Sequence, residues 1–256
     1  VVAVLNQKGG VGKSTLAFHL AHAARRNRAG LERQVLCLDM DSQGNLSQFL
    51  TGNLDVIRNV DTGVGLLMEG KVFEATRTSA GIDLLHGHEK LDRYDNNEDV
   101  INRCFDMNLR ESVMELSGNT VYDTIVIDTP PAMGLRHAVG LLWADVVVIP
   151  MEPIATSIAG FQNVLSTIVE KVGDLNPGLK WVGVINRANL QVRSHREKEA
   201  MVRELYGDRI IATLASRISV SDAMEEEPAI PVWSRRRAPK DLRNLWQDVC
   251  EQILAV

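Results

Sequence analysis

Residues 8–15 read Lys8-Gly9-Gly10-Val11-Gly12-Lys13-Ser14-Thr15, directly after the apolar run Val1–Leu5 and directly before a stretch of helical spacing. A strand, a glycine-rich turn and a helix, in that order, form the context in which a loop wraps phosphate. Gly9, Gly10 and Gly12 carry no Cβ, so the backbone N–H groups through Val11 can converge on an anion. The helix that begins near Ser14 adds its unpaired amides and its dipole. Lys13 supplies a point charge for the β- and γ-phosphates, the Ser14 hydroxyl is a ligand for Mg²⁺, and Thr15 completes the stretch. On average residue frequencies, such a run arises by chance on the order of once per several million positions.

The rest of the chain suits a loop of this kind. Short apolar runs recur at Val1–Leu5, Val35–Leu38, Ile82–Leu85, Thr124–Ile127, Val146–Ile149, Trp181–Ile185 and Ile210–Leu214. They are near-continuous rather than alternating, as in parallel strands buried on both faces. Helical stretches lie between them at Thr15–Arg26, Val100–Leu116, Ile154–Val172 and Arg193–Tyr206. Right-handed crossovers then predict a doubly wound, mostly parallel α/β sheet with helices on both faces. No repeat, linker or low-complexity tract divides residues 1–256, and one domain is expected. Asn53–Gly63 and His86–Asn97 are polar and turn-rich, and are expected as peripheral loops or short helices.

Composition narrows the function classes. The formal charge is −5, so any nucleic-acid contact must use a local patch. Three cysteines, Cys37, Cys104 and Cys250, are an odd number with no paired spacing, which argues for a reducing compartment and against a zinc site or a disulfide framework. No apolar stretch approaches the 18 residues of a membrane span, and no signal peptide is visible.

A further carboxylate is read directly from the pattern. Ile125-Val126-Ile127-Asp128 is an apolar strand ending in an acid, at the end of the sheet where ligands of open α/β folds collect. Asp128 is therefore expected to hold a Mg²⁺-bound water.

The loop departs from the plain form G-x-x-x-x-G-K-[ST]: Gln7 stands where the first glycine would fall, and a second lysine, Lys8, precedes Lys13 by five residues. In this the chain resembles the ParA/MinD family of deviant Walker A ATPases, and specifically its ParA-type partition members. The resemblance covers nearly the whole chain. It implies that Lys8 reaches across a dimer interface to the partner's phosphates. The run Asp39-Met40-Asp41-Ser42-Gln43-Gly44-Asn45 resembles the family's switch I, with Ser42 where proline is usual. On that likeness Asp41 positions the attacking water, and Asp39 lies close to Mg²⁺ and the loop lysines. Thr129-Pro130-Pro131 resembles switch II, and Asn186 and Arg187 resemble the position beside adenine. No Asn-Lys-x-Asp guanine motif is present, which favours ATP over GTP.

Members of the family differ in the surface that the ATP-bound dimer grips. Leu242, Leu245, Trp246, Val249 and Ile253 share one face of the last helix, Pro239–Ala255. The opposite face carries Asp241, Gln247, Asp248 and Glu251, where a membrane-surface helix would carry Lys or Arg. The helix is expected to pack on the sheet, so no membrane contact is expected, and a MinD-like membrane-associated ATPase is the alternative. From Arg187 to Arg243 there are twelve Lys/Arg against nine Asp/Glu, a net of +3 in an acidic chain. Arg235, Arg236 and Arg237 with Lys240 and Arg243 are the densest cluster, and the resemblance adds Arg217 as a further candidate. The resemblance implies non-specific DNA binding there, weak and salt-sensitive at roughly 10⁻⁴ to 10⁻⁶ M. It also implies ATP and Mg²⁺ as cofactors, an ATP-dependent homodimer, hydrolysis stimulated by a ParB-like partner, and a cytoplasmic, nucleoid-associated location. A ParA-like ATPase that positions a non-DNA cargo is a further alternative. The helix-turn-helix extension of some members has no counterpart here, so operator binding is not expected. A metabolic P-loop enzyme is disfavoured, because iron-protein relatives need paired cysteines and the synthetases usually lack Lys8 and the Asp39–Asn45 pattern.

Overall fold

The computed structural model describes residues 1–26, 29–53, 55, 63–131 and 134–256. Eight strands form one sheet in the order β3-β4-β2-β5-β1-β6-β7-β8. The strands are β1 (Val2–Val4), β2 (Val35–Asp39), β3 (Thr76–Arg77), β4 (Asp83–Leu85), β5 (Thr124–Asp128), β6 (Val146–Met151), β7 (Lys180–Ala188) and β8 (Ile210–Ala215). Every pairing is parallel except β3 with β4. All seven strands expected from the apolar runs are present. The edge strand β3 is new. It has two exposed residues, so it leaves no apolar signature. Arg77 pairs with Asp83 across the β3–β4 ladder at 2.8 Å.

The strands are apolar throughout because each face of the sheet carries its own core. Ala3, Leu36, Leu38, Ile125, Ile127, Val147 and Ile149 point into one core, which is covered by α3 (Val64–Met68), α4 (Glu98–Asp106), α5 (Leu109–Leu116), α6 (Leu135–Trp143), α7 (Ala155–Thr167) and α8 (Arg193–Tyr206). Val2, Val4, Val35, Cys37, Val126, Val146 and Val148 point into the other, under α1 (Lys13–Arg25), α2 (Asn45–Thr51) and α10 (Lys240–Leu254). α9 (Ile218–Met224) lies beside this second layer. All three cysteines are buried and free.

One expectation needs correction. The helix expected over Val100–Leu116 is two helices. Met107 leaves the helical region at φ −77°, ψ 125° and ends α4, and the Asn108 side chain then accepts from the Glu111 N–H and caps α5. The stretch His86–Asn97 contains a 3-10 turn over Leu91–Asn96. Residues 54 and 56–62 of the other polar stretch lie outside the described residues.

α10 packs across α1 as its spacing requires. Leu242, Trp246, Val249 and Ile253 are buried, while Leu245 is 38% exposed at the edge of the apolar face. Each buried side chain contributes about 1.5–3 kcal/mol. The Trp246 ring lies 4.4 Å from that of His19 on α1. No helix among the described residues is long and apolar enough to cross a membrane. Trp246→Ala is expected to lower unfolding stability by about 3–5 kcal/mol. Urea denaturation followed by circular dichroism checks this, and an unchanged midpoint would mean that α10 does not hold α1.

Candidate functional site

Five strands deliver their C-terminal ends to one edge of the sheet, and each end carries a polar residue. β1 leads through Asn6 into the glycine loop. β2 ends in Asp39 with Asp41 beyond, β5 ends in Asp128, Glu152 follows β6, and Asn186 lies near the end of β7. In register, Asp39 lies opposite Asp128, and Val4 lies opposite Asp128 on the other side.

The loop is shaped by close backbone contacts. Gly10 and Gly12 have φ of +79° and +91°. A Cβ on Gly12 would stand 2.3 Å from Asn186 Nδ2, so no side chain fits there. That nitrogen donates to the Val11 carbonyl at 2.8 Å, and Asn186 Oδ1 accepts from the Arg187 N–H at 2.9 Å. Buried Asn6 fixes the loop's entry. It donates to the Pro150 carbonyl at 2.8 Å and accepts from the Lys8 N–H at 2.8 Å. Lys13 Nζ donates to the Lys8 carbonyl at 3.3 Å, closing the turn on itself.

A cavity of about 440 Å³ opens on this loop. Gly9, Gly10, Gly12, Lys13, Ser14 and Thr15 form one wall, and Asp41, Ser42, Gln43, Pro130, Pro131 and Arg136 face them. A second cavity of about 270 Å³ shares Gly12, Thr15, Phe49 and Arg187 with the first, and is bounded further by Asn186, Arg217 and Trp246. The pair suits a phosphate chain joined to a ring of nucleoside size.

The electrostatics divide the carboxylates. Burial pushes Asp39 up to about 6, against the hydrogen bonds from Ser47 N–H (2.8 Å), Ser47 O–H (2.6 Å) and Asp41 N–H (3.1 Å). Those bonds tie Asp39 to α2 and to the turn before it. Asp39 stands in register beside Asp128, with its oxygens turned to α2 and the Asp41 amide. Asp128 is fully buried, and neither oxygen has a hydrogen-bond partner at ordinary geometry. Burial raises its pKa well above the usual carboxylate range and neighbouring Asp39 adds to the rise, while the Ser14 hydroxyl and Lys13 oppose it. An orphaned buried carboxylate beside a serine and a lysine is a donor set that a hydrated divalent cation satisfies, so Ser14 and Asp128 fit Mg²⁺. Lys13 is itself buried, which lowers its pKa against the pull of Asp128 and Asp41. Asp41 is on the cavity wall, its Oδ1 accepting from the Gln43 N–H at 3.0 Å.

Lys8 does not line the phosphate cavity. Its ammonium lies 3.1 Å from Glu152, which also pairs with Arg187 at 3.5 Å. The basic cluster is uneven. Arg235 is held by Asp222 at 2.9 Å and Glu226 at 2.7 Å, whereas Arg236, Arg237 and Lys240 are exposed. Arg217 is exposed on the wall of the second cavity, immediately before α9. The sequence reading missed Asn6, Phe49, Asp92, Arg136 and Glu152. Glu152 carries the signal that revealed Asp128, an acid following an apolar strand, and Arg136 is a charge inside an otherwise apolar helix.

A family model described as an AAA domain matches residues 1–181. The chromosome partitioning protein ParA of Myxococcus xanthus is 31% identical over 218 residues, covering 78% of this chain and 72% of that protein. The chain belongs to the ParA family of ATPases. The chromosome-partitioning ATPase Soj of Thermus thermophilus is 27% identical over 257 residues, covering 99% of this chain and 95% of its own. Among solved structures, an ATP complex of a Cyanothece McdA variant superposes with a TM-score of 0.81 at 19% identity, over 100% of this chain and 96% of that one. At that identity the likeness is one of fold, over the whole length of this ParA-family chain.

The buried carboxylate makes a stability test possible. The folded-state pKa of Asp128 lies above its unfolded value, so ionising it costs stability at every pH above the unfolded pKa. Below about pH 4 both states are protonated and the cost disappears. Asp128→Asn is therefore expected to raise the melting temperature of the nucleotide-free protein at neutral pH, with the gain shrinking towards about pH 4. The same variant should lose the extra stabilisation given by Mg²⁺ with ATP. Calorimetry with and without both ligands checks the two effects, and a variant still stabilised by Mg²⁺ would remove Asp128 from the cation site.

Proposed function

We propose that this protein is a partition ATPase that works as an ATP-dependent homodimer. ATP sits in the glycine loop, with Mg²⁺ held by Ser14 and by water on Asp128. Lys8 of each copy reaches the phosphates bound by the other. The dimer grips DNA non-specifically, and hydrolysis, stimulated by a ParB-like adaptor, releases it. Such cycles place the protein on the nucleoid in the cytoplasm and move or space a DNA cargo.

The observation that carries this reading is the position of Lys8. A second loop lysine that served its own site would line its own cavity, and this one is paired with Glu152 outside it. An ammonium 28% exposed and held by one carboxylate is available to a second subunit's anion at small cost.

The residues divide the chemistry. Lys13 and the loop amides balance phosphate charge, and they orient the γ-phosphate for in-line attack. Asp41 accepts a hydrogen bond from the attacking water and aims it along that line. Ser14 and Asp128 would hold Mg²⁺, which would supply charge neutralisation at the phosphates. Asn186 and Arg187, at the second cavity, face the nucleoside, and ATP is the substrate.

Exposed Arg236, Arg237 and Lys240 support the DNA contact, with Arg217 and Arg235 as neighbours. Arg235 is better read as the brace of the segment, because Asp222 and Glu226 already neutralise it. The buried apolar face of α10 leaves no face for a lipid surface, which speaks against the MinD-like alternative.

Asp41→Ala is expected to bind ATP, dimerise and remain on DNA while hydrolysis falls to a residual rate. Light scattering and DNA retention check this, and a monomeric variant would contradict the water-positioning role. Arg236→Glu with Arg237→Glu should abolish DNA retention and leave the ATP-dependent dimer intact. In the wild type the salt dependence should correspond to a slope of about −0.9 per phosphate contact. DNA affinity that survives the double change would move the patch elsewhere, and capture of the ATP-bound protein by anionic vesicles would favour the membrane reading.

A further inference from the structure

A charge buried inside an apolar helix needs partners. Arg136 lies in the first turn of α6, between Leu135 and His137, and its side chain is 3% exposed. All three nitrogens of its guanidinium are engaged, through four of the five N–H donors. Nε and Nη2 form a fork on Asp95, at 3.2 Å to Oδ1 and 2.8 Å to Oδ2. Nη2 also reaches Asp92 Oδ1 at 2.7 Å, and Nη1 donates to the Met40 carbonyl at 3.0 Å.

Three segments meet on this one side chain: α6 after the Pro130-Pro131 turn, the 3-10 turn Leu91–Asn96, and the link between Asp39 and Asp41. Gly134 allows the approach. A Cβ there would stand 3.0 Å from the Asp95 carboxyl carbon. Met40 is clamped from both sides, because its N–H donates to the Asp128 carbonyl at 2.9 Å while its carbonyl accepts from Arg136. Asp41 follows at once. Its N–H donates to Asp39, and its own carbonyl is so close to Gly87 that a Cβ there would be 2.3 Å away. The backbone that aims the Asp41 carboxylate is thus held on each side, and Arg136 is the only one of these holds that comes from a charged side chain on a different layer.

We propose that Arg136 is a positioning residue for ATP hydrolysis, which fixes the Met40 carbonyl and through it the direction of the Asp41 carboxylate. This rests on Asp41 as the group that orients the attacking water. Arg136 touches the cavity, yet four of its five N–H donors are held by Asp92, Asp95 and Met40, so its work is chiefly geometric. The loop that binds the phosphates shares none of these bonds. Loosening Arg136 therefore slows the chemical step and spares binding. Misplacing a reacting group by about 1 Å costs on the order of 100-fold in rate.

The test uses Arg136→Lys in the full chain, because one ammonium keeps the charge but offers a single nitrogen with three N–H donors to the four acceptor atoms that the planar fork reaches. The expected result is a kcat lower by about 10- to 100-fold, with KM for ATP and the Kd of a non-hydrolysable analogue changed less than about 3-fold. In an Asp41→Ala background the same substitution should cause no further loss, since its effect passes through the missing carboxylate. An equal fractional loss in both backgrounds, or a loss of affinity that parallels the loss of rate, would overturn the proposal. Should Arg136→Lys fail to fold, Asp92→Asn with Asp95→Asn releases the same guanidinium from the exposed side, and an unchanged kcat there would overturn it equally. If Asp41→Ala alone hydrolyses ATP at the wild-type rate, the role of Asp41 fails first, and that result is distinct from additivity at Arg136.

Discussion

Two carboxylates, Asp39 and Asp128, end adjacent parallel strands in register, and both are fully buried. Burial raises both pKa values, and Asp39 raises that of Asp128 further. The rest of the site answers that charge. Ser47 and the Asp41 amide satisfy Asp39, which thereby fixes α2. Lys13 and Ser14 face Asp128, which keeps two unsatisfied oxygens for a cation and its water. An apolar pair at these positions would pack more simply, because a buried, unpaired carboxylate destabilises the fold that holds it. The arrangement makes the folded state a better receptor for Mg²⁺ with nucleotide, and ligand binding returns the stability that burial removes.

The sheet was legible because its physics is one-dimensional. A parallel strand covered on both faces must be apolar at every residue, and the seven runs show that without reference to one another. The glycine loop was legible for a similar reason, since a backbone that wraps an anion at φ near +90° admits no side chain at Gly12. Asp128 was legible because an acid that closes a buried apolar strand must meet a counter-charge there. The site's supports were not. Asn6, Arg136 and the Glu152–Lys8 pair take their meaning from residues roughly 40 to 150 positions away, and local spacing does not encode that distance. Arg235 shows the converse. Three consecutive arginines look equivalent in sequence, but Asp222 and Glu226 take up one of them and leave the others exposed.

α10 illustrates how patterning and packing combine. Its spacing predicted one apolar face, and its acidic opposite face predicted that this side would not seek lipid. The structure buries the apolar side on α1, the helix whose N-terminus holds the loop. Phosphate binding and the C-terminal helix therefore share one rigid element, although some 230 residues of chain separate Lys13 from Trp246.

The segment between α9 and α10 hangs from that same element. His19, four residues after Thr15, is buried between the Trp233 and Trp246 rings. Its Nδ1 lies 2.7 Å from the Thr15 carbonyl and must donate to it, so Nε2 is the acceptor for the Val232 N–H at 3.1 Å. That pattern requires a neutral ring, and burial lowers its pKa to about 4. An imidazolium would lose the acceptor and leave the Val232 amide unpaired, so the bond persists at neutral pH and is lost only in acid. Three residues earlier, the Ala229 N–H donates to the Phe49 carbonyl on α2 at 3.0 Å. The chain that leads into Arg235, Arg236 and Arg237 is thus fastened to α1 and α2, the two helices that bracket the nucleotide cavities. The exposed positive charge on this face is held by the same elements that bracket the cavities, through the Val232 and Ala229 amides.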